Sequence, residues 1–158
     1  MRQNKEGIEI GVPLEMVWAV LENFGDVASW APYMRHSALI GEQKTGIGTR
    51  RSLRHVWGFR LEETVTGWID GCGFSFDVNR APWPMKDVRE AWVIEYDNGR
   101  TIIGTSVEYA MHLGFLGTWL DTILLRYIVR REMRAGLCGL KDYLERAAAR
   151  YRLLEENT

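Results

Sequence analysis

The sequence has no run of about 18 uninterrupted apolar residues, because Asp121 and Arg126 break the best candidate, and its opening MRQNKEG has no apolar h-region. Neither a membrane span nor a secretory leader is expected, so the protein is expected to be cytoplasmic, or at most peripheral to a membrane. Cysteine is scarce. Cys72 and Cys138 lack metal-ligand spacing and are too few for a disulfide framework, which predicts two buried thiols in a reducing setting. Charge is balanced, with 20 Lys and Arg against 21 Asp and Glu, so no global field points to nucleic acid. The nucleophile elbow, HExxH, phosphate loop, GxGxxG and paired CxxC are all missing, which removes the strong catalytic and metal motifs and predicts neither a cofactor nor a metal site. Repeats, low-complexity segments and linkers are missing too. The 158 residues suit one domain over 1–158, with its core over 7–145, and at this size about two-thirds of the unfolded surface is buried on folding.

What is there reads as strand, two helices, six strands and a long helix. Gly7 to Gly11 is a short strand running into Pro13, a residue suited to the first helical position, and Met16, Val17, Val20 and Leu21 follow at helical spacing. Asn23 to Asp26 breaks this helix, Val27 to Trp30 allows a further turn, and Ala31-Pro32 forces an extended chain. Strands are predicted at Ser37 to Ile40, Ile47 to His55, Phe59 to Ile69, Cys72 to Asn79, Val88 to Tyr96 and Thr101 to Leu113, with the clearest hairpin at Asn98-Gly99. Period-two alternation puts Cys72, Phe74, Phe76 and Val78 on one face, with Trp92, Ile94 and Tyr96 and then Val107, Tyr109 and Met111 as matching sets.

The run from Gly114 to Leu144 predicts one long helix, with Thr118 and Asp121 as its capping box and Gly114 and Gly117 as its hinge. Leu120, Ile123, Leu124 and Tyr127 form one apolar stripe, and Met133, Leu137, Leu140 and Leu144 a second. The first half carries extra apolar residues, Leu125 and Ile128, which predicts cover by sheet, ligand, partner or membrane. Arg146 to Thr158 is expected to be a frayed, charged extension. Consecutive antiparallel strands with a terminal helix make an α+β domain.

The segments IEIGVPLEMVWAVLENFGDVASWAPYM, GIGTRRSL, GFRLEETV and GLKDYLE together resemble the START-like superfamily of polyketide cyclase/dehydrase and lipid-transport domains (SRPBCC, Bet v 1-like), over roughly Ile8 to Glu145. The matching residues, among them Pro13, Trp18, Phe24, Trp30, Pro32, Gly46, Gly48 and Arg50 or Arg51, are mostly scaffold. The resemblance implies a helix-grip fold: a seven-stranded curved antiparallel sheet around a long C-terminal helix, two short helices after the first strand, and an apolar cavity between. It places the cavity mouth at the loops after the third, fifth and seventh strands, here His55 to Gly58, Arg80 to Lys86 and Leu113 to Gly117. Asn23 stands where the family usually has aspartate, and no gate or latch of the hormone-receptor type occurs.

Among polar residues, a hairpin turning near Val56 and Trp57 would bring Arg51 and Glu63 opposite each other. Glu63 shares the apolar parity of Phe59 and Leu61, so it is expected to face the cavity, where burial raises its pKa and Arg51 lowers it. The plain alternative is a rim ion pair. His112, at the end of the last strand, is a candidate for proton exchange with a ketone or phenol, whereas His36 and His55 read as surface or satisfied polar residues. Seven tryptophans are many for this length, and Trp57 and Trp83 fall in loops, where an indole suits contact with a ligand, a partner or a membrane interface. The expected catalytic set is therefore Glu63, Arg51 and His112. The expected ligand-binding set is Trp57, Phe74, Phe76, Trp83, Trp92, Ile94, Val107, Tyr109, Met111, Phe115, Trp119, Leu120, Ile123, Leu124 and Tyr127. The leading expectation is a carrier of a small hydrophobic ligand, a lipid, isoprenoid or aromatic polyketide. One alternative is a polyketide cyclase or dehydratase using the same cavity. The other is a dimerising or membrane-peripheral module acting through residues 115–129.

Overall fold

Residues 1–112 and 124–155 are described by the computed structural model. Among these residues the elements run in the order β1 (Arg2–Ile10), α1 (Leu14–Leu21), a 3-10 helix (Phe24–Ser29), β2 (Met34–Ile40), β3 (Arg50–His55), β4 (Arg60–Ile69), β5 (Gly73–Val78), β6 (Met85–Asp97), β7 (Arg100–Met111) and α2 (Arg126–Glu155). The strands form one antiparallel sheet in the order β1-β7-β6-β5-β4-β3-β2. Strands β2 to β7 are thus a meander, and β1 crosses over to pair with β7. Register breaks between Met34 and His36, Val65 and Gly67, and Lys86 and Arg89 are the bulges that bend the sheet around α2.

Most predicted strands are found with ends moved by a few residues. The largest difference is β1, which begins at Arg2 and pairs with β7 from Arg2↔Tyr109 to Ile10↔Thr101. Its first half, RQNKE, has no apolar alternation, and its strand conformation comes from the distant partner's backbone. The two-residue hairpin at Asn98-Gly99 forms as predicted, with both residues at positive φ (49° and 82°) and Asp97 paired to Arg100. Pro13 precedes α1 as its cap, and its carbonyl accepts the N–H groups of Met16 and Val17.

Two expectations are corrected. Arg146 to Glu155 continues α2 instead of fraying, with Ala148 buried against the core, so the apolar stripe runs one turn past Leu144. Both cysteines are exposed free thiols: Cys72 lies in the β4–β5 turn, and Cys138 projects from α2 away from its buried stripe. The predicted helix start, with the Thr118 and Asp121 cap and the Gly114 and Gly117 hinge, lies outside the described residues. No helix among the described residues is long and apolar enough to cross a membrane.

The second stripe of α2 behaves as its spacing predicts: Met133, Leu137, Leu140 and Leu144 are all buried. They meet a core in which Phe24 packs edge-on to Phe74 and Phe76 (5.6 and 5.7 Å), and Trp30 packs edge-on to Trp92 (5.3 Å). The close approach of α2 to the segment before β2 depends on two helical glycines. A Cβ at Gly139 would collide with the Trp30 carbonyl oxygen, and one at Gly136 would press on the Tyr33 hydroxyl at 2.7 Å. In an exposed helix, Gly→Ala stabilises by about 1 kcal/mol. Here Gly139→Ala is expected to do the reverse, costing about 1–3 kcal/mol by overpacking, measured as the loss of stability in urea unfolding.

Candidate functional site

The β3–β4 register places Arg51 directly opposite Glu63. Both side chains point inward and are almost fully buried. Arg51 Nε and Nη2 each lie 2.6 Å from Glu63 Oε2, while Nη1 donates to the Phe24 carbonyl oxygen at 2.7 Å. The guanidinium also lies 3.8 Å from the Phe24 ring centroid and 5.1 Å from that of Phe76. Every face of Arg51 is thus engaged. Burial raises the pKa of Glu63 and the Arg51 charge opposes that rise, leaving it above the ordinary carboxylate value.

Glu63 lines a cavity of about 110 Å³ between the sheet and α2. Its apolar walls come from Phe59, Leu61, Val78, Met85, Val88, Val107, Val129 and Met133, and its polar groups from Tyr33, His55, Glu63, Glu90 and Glu132. Glu90, on β6, accepts hydrogen bonds at Oε1 from Trp92 Nε1 (2.6 Å) and Thr105 Oγ1 (3.4 Å). Burial first, and then the negative charge of Glu63, push its pKa up to about 7. Tyr33 is raised well above the ordinary phenol value, by burial and then by Glu90, Glu132 and Glu63.

His55 ends β3 and closes one side of the cavity. Its Nδ1 accepts the Trp57 N–H at 3.2 Å, which leaves Nε2–H to donate to Glu132 Oε1 at 3.0 Å. Its ring stacks on Phe59 at 4.3 Å and 9°. Burial raises the Glu132 pKa against the opposing pull of His55 and Arg131. Tyr33 and Glu132 also line an outer groove of about 220 Å³ with Trp57 and Ile128, so these two side chains separate inner cavity from outer groove. A larger groove of about 580 Å³ lies at the other end of the sheet, between the β1–α1 connection and the β6–β7 hairpin, and no buried ionisable group faces it.

Of the residues expected at a site, Arg51 and Glu63 come together, Val107 lines the cavity, and Tyr109 is fully buried beside Val88, Val107 and Met133 with Met111 packed on the same cluster. His112 is exposed beyond the end of β7 and is not among the residues lining the cavity, its N–H bonded to the Pro84 carbonyl. Phe74, Phe76, Trp92 and Ile94 point inward but pack into the main core instead of lining the cavity. There the space beside them is filled by Trp18 and Phe24 of the two short helices and by Trp30 just after them. Trp57 and Trp83 are exposed (63% and 72%), as are Leu124 and Tyr127 near the start of α2. Phe115, Trp119, Leu120 and Ile123, with the loop Leu113 to Gly117, lie outside the described residues. Sequence reasoning missed Glu90, Glu132, Tyr33 and the role of His55. Glu90 had a signal, since it shares strand parity with the inward Trp92 and Ile94. Among the described residues, no cluster of His, Cys, Asp and Glu is arranged to hold a metal ion.

Residues 1–145 match the family described as polyketide cyclase / dehydrase and lipid transport. The chain belongs to this family. No curated protein matches it in sequence. Solved structures share its fold: a protein from Thermus thermophilus (16% identity, 92% of this chain and 99% of that one, TM-score 0.73) and Ara h 8.0201 (13%, 90% and 97%, TM-score 0.72). The di-domain ARO/CYC BexL from the BE-7585A biosynthetic pathway is also similar (14%, 92% and 47%, TM-score 0.73). The architecture is thus the helix-grip arrangement of Bet v 1-like proteins. Family and fold fit a ligand-binding or polyketide-cyclase domain, and members generally bind small hydrophobic ligands.

In this polyketide cyclase/dehydrase and lipid-transport domain, Glu90 couples the cavity to pH. Between the ordinary carboxyl value of 4.5 and about 7, the folded protein keeps a proton on Glu90 that the unfolded chain has released. Stability contributed by this group is therefore full below the lower value and is lost as pH rises through the window. Glu90→Gln removes this group's share of the dependence, while Glu63 and Glu132, also raised, keep theirs. Measured by urea unfolding from about pH 4 to pH 8, the variant is expected to gain on the order of 3 kcal/mol relative to wild type.

Proposed function

We propose that the protein is a carrier that encloses a small hydrophobic ligand, of lipid, isoprenoid or aromatic polyketide type, between the sheet and α2. The observation that carries this reading is a cavity with apolar walls into which four ionisable side chains project besides the paired Glu63. Buried polar groups beside open apolar space are costly for a core that serves packing alone. A ligand that fills the space and meets those groups offsets the cost. An apolar cavity of about 150 Å³ accepts benzene; at about 110 Å³ the inner cavity is smaller and suits a short branched portion of a ligand or the edge of a ring. The outer groove beside Trp57 and Ile128 suits the remainder. Native mass spectrometry of freshly purified protein is expected to show a retained apolar molecule. A protein that stays empty, and leaves a panel of lipids and polyphenols unbound, removes the carrier reading.

A second reading is cyclase or dehydratase chemistry on a polyketone in the same cavity. It is supported by two carboxyl groups in one cavity with different environments: Glu63 paired with Arg51, and Glu90 held by neutral donors. Such a pair suits general base and general acid roles. Under this reading Glu63→Gln lowers turnover of a bound polyketide about 100-fold or more, and unchanged turnover in a product assay eliminates the role.

A further inference from the structure

Glu90 is held by one of its two oxygens. Trp92 Nε1 and Thr105 Oγ1 both donate to Oε1, and these two residues face each other across β6 and β7, so the anchor belongs to the sheet itself. No described residue hydrogen-bonds Oε2. An oxygen that accepts two hydrogen bonds takes the carbonyl role in a neutral acid, which leaves the proton on the other oxygen. Arg51, a buried cation beside the cavity, already has each of its three nitrogens against Glu63 or the Phe24 carbonyl and its charge paired with Glu63, so an anionic ligand would have to compete with that pair.

Resting on the carrier reading, we propose that the ligand is a neutral apolar molecule bearing a ketone or ester oxygen, which accepts a hydrogen bond from Glu90 Oε2. The surroundings favour a neutral guest. The ionisable groups facing Glu90 are Glu63 on β4, Arg51 and His55 on β3, Tyr33 before β2 and Glu132 on α2. The neighbouring strands present Phe76 and Val78 from β5, and Thr105 and Val107 from β7, with the buried phenol of Tyr109 next along the same face of β7. A carboxylate ligand would lie beside the Glu63 carboxyl group, whose Arg51 partner is already engaged, whereas a carbonyl meets a donor in an apolar wall. A carboxyl group kept neutral in such surroundings is an effective donor to a ketone oxygen. Burial and the Glu63 charge keep Glu90 protonated up to about pH 7.

Acetophenone and ethylbenzene differ in one C=O against one CH2 and test the proposal by calorimetric titration of the wild-type protein. At about pH 5.5 acetophenone is expected to bind on the order of tenfold tighter. The ratio should fall towards one as pH rises through about 7. Glu90→Gln, whose amide donates without titrating, is expected to keep the ketone preference at both ends of the range. The wild-type comparison decides the matter even where that variant does not fold. Equal affinities at about pH 5.5, a ratio unchanged to about pH 8.5, or benzoate binding tighter than acetophenone overturns the proposal and leaves the carrier reading standing. Binding of none of the three overturns the proposal, and the carrier reading is then decided by the retained-ligand and lipid-panel measurement.

Discussion

The interior is organised around one buried ion pair, Arg51 with Glu63, and the other charges near the cavity take their states from it. The guanidinium is satisfied on all sides by a carboxylate, a backbone carbonyl and two aromatic rings. A buried ion pair of this kind contributes less to net stability than to specificity, because desolvation of both ions offsets most of their attraction. What it contributes here is position. It ties β3 to β4 and to the 3-10 helix, and it fixes a negative charge facing the cavity wall. That charge, together with burial, keeps Glu90 neutral until about pH 7 and raises Tyr33 further.

The sheet divides its inner face into two functions along the strand direction. At the end covered by α1 and the 3-10 helix, aromatic side chains interlock and leave no room. At the other end, where β3, β5 and β7 finish, the covering elements are α2 and the segment before β2, and Tyr33, His55 and Glu132 take the place of indoles and phenyl rings. Gly136 and Gly139 let that segment lie close on α2. Packing density and open space therefore come from the same inward-facing strand pattern, and differ only in what lies above it.

Much of the fold was legible in the chain. The alternation of β5 and β6, the Asn98-Gly99 turn and the α2 stripe from Met133 to Leu144 each carry their own periodicity. The Arg51 and Glu63 pairing was also legible, since one hairpin and strand parity suffice to place it. The N-terminal half of β1 was not, because a polar strand is made by its partner's hydrogen bonds. Nor was the exposure of Cys72 and Cys138, which depends on where a turn and a helix face happen to point.

By itself the sequence determined the sheet and helix, the inward parity of Arg51, Glu63 and Glu90, and the aromatic load of the interior, because these are local patterns of period two or 3.6. Only the tertiary structure decided which inward side chains line space and which fill it. Phe74, Phe76, Trp92 and Ile94 have the same parity as Glu90 and Val107, yet the former are covered by Trp18, Phe24 and Trp30 and the latter border the cavity. Glu132 and His55 meet across 77 residues of sequence. Contact at that separation depends on how the sheet bends around α2, and bending is a property of the assembled sheet, not of any one segment.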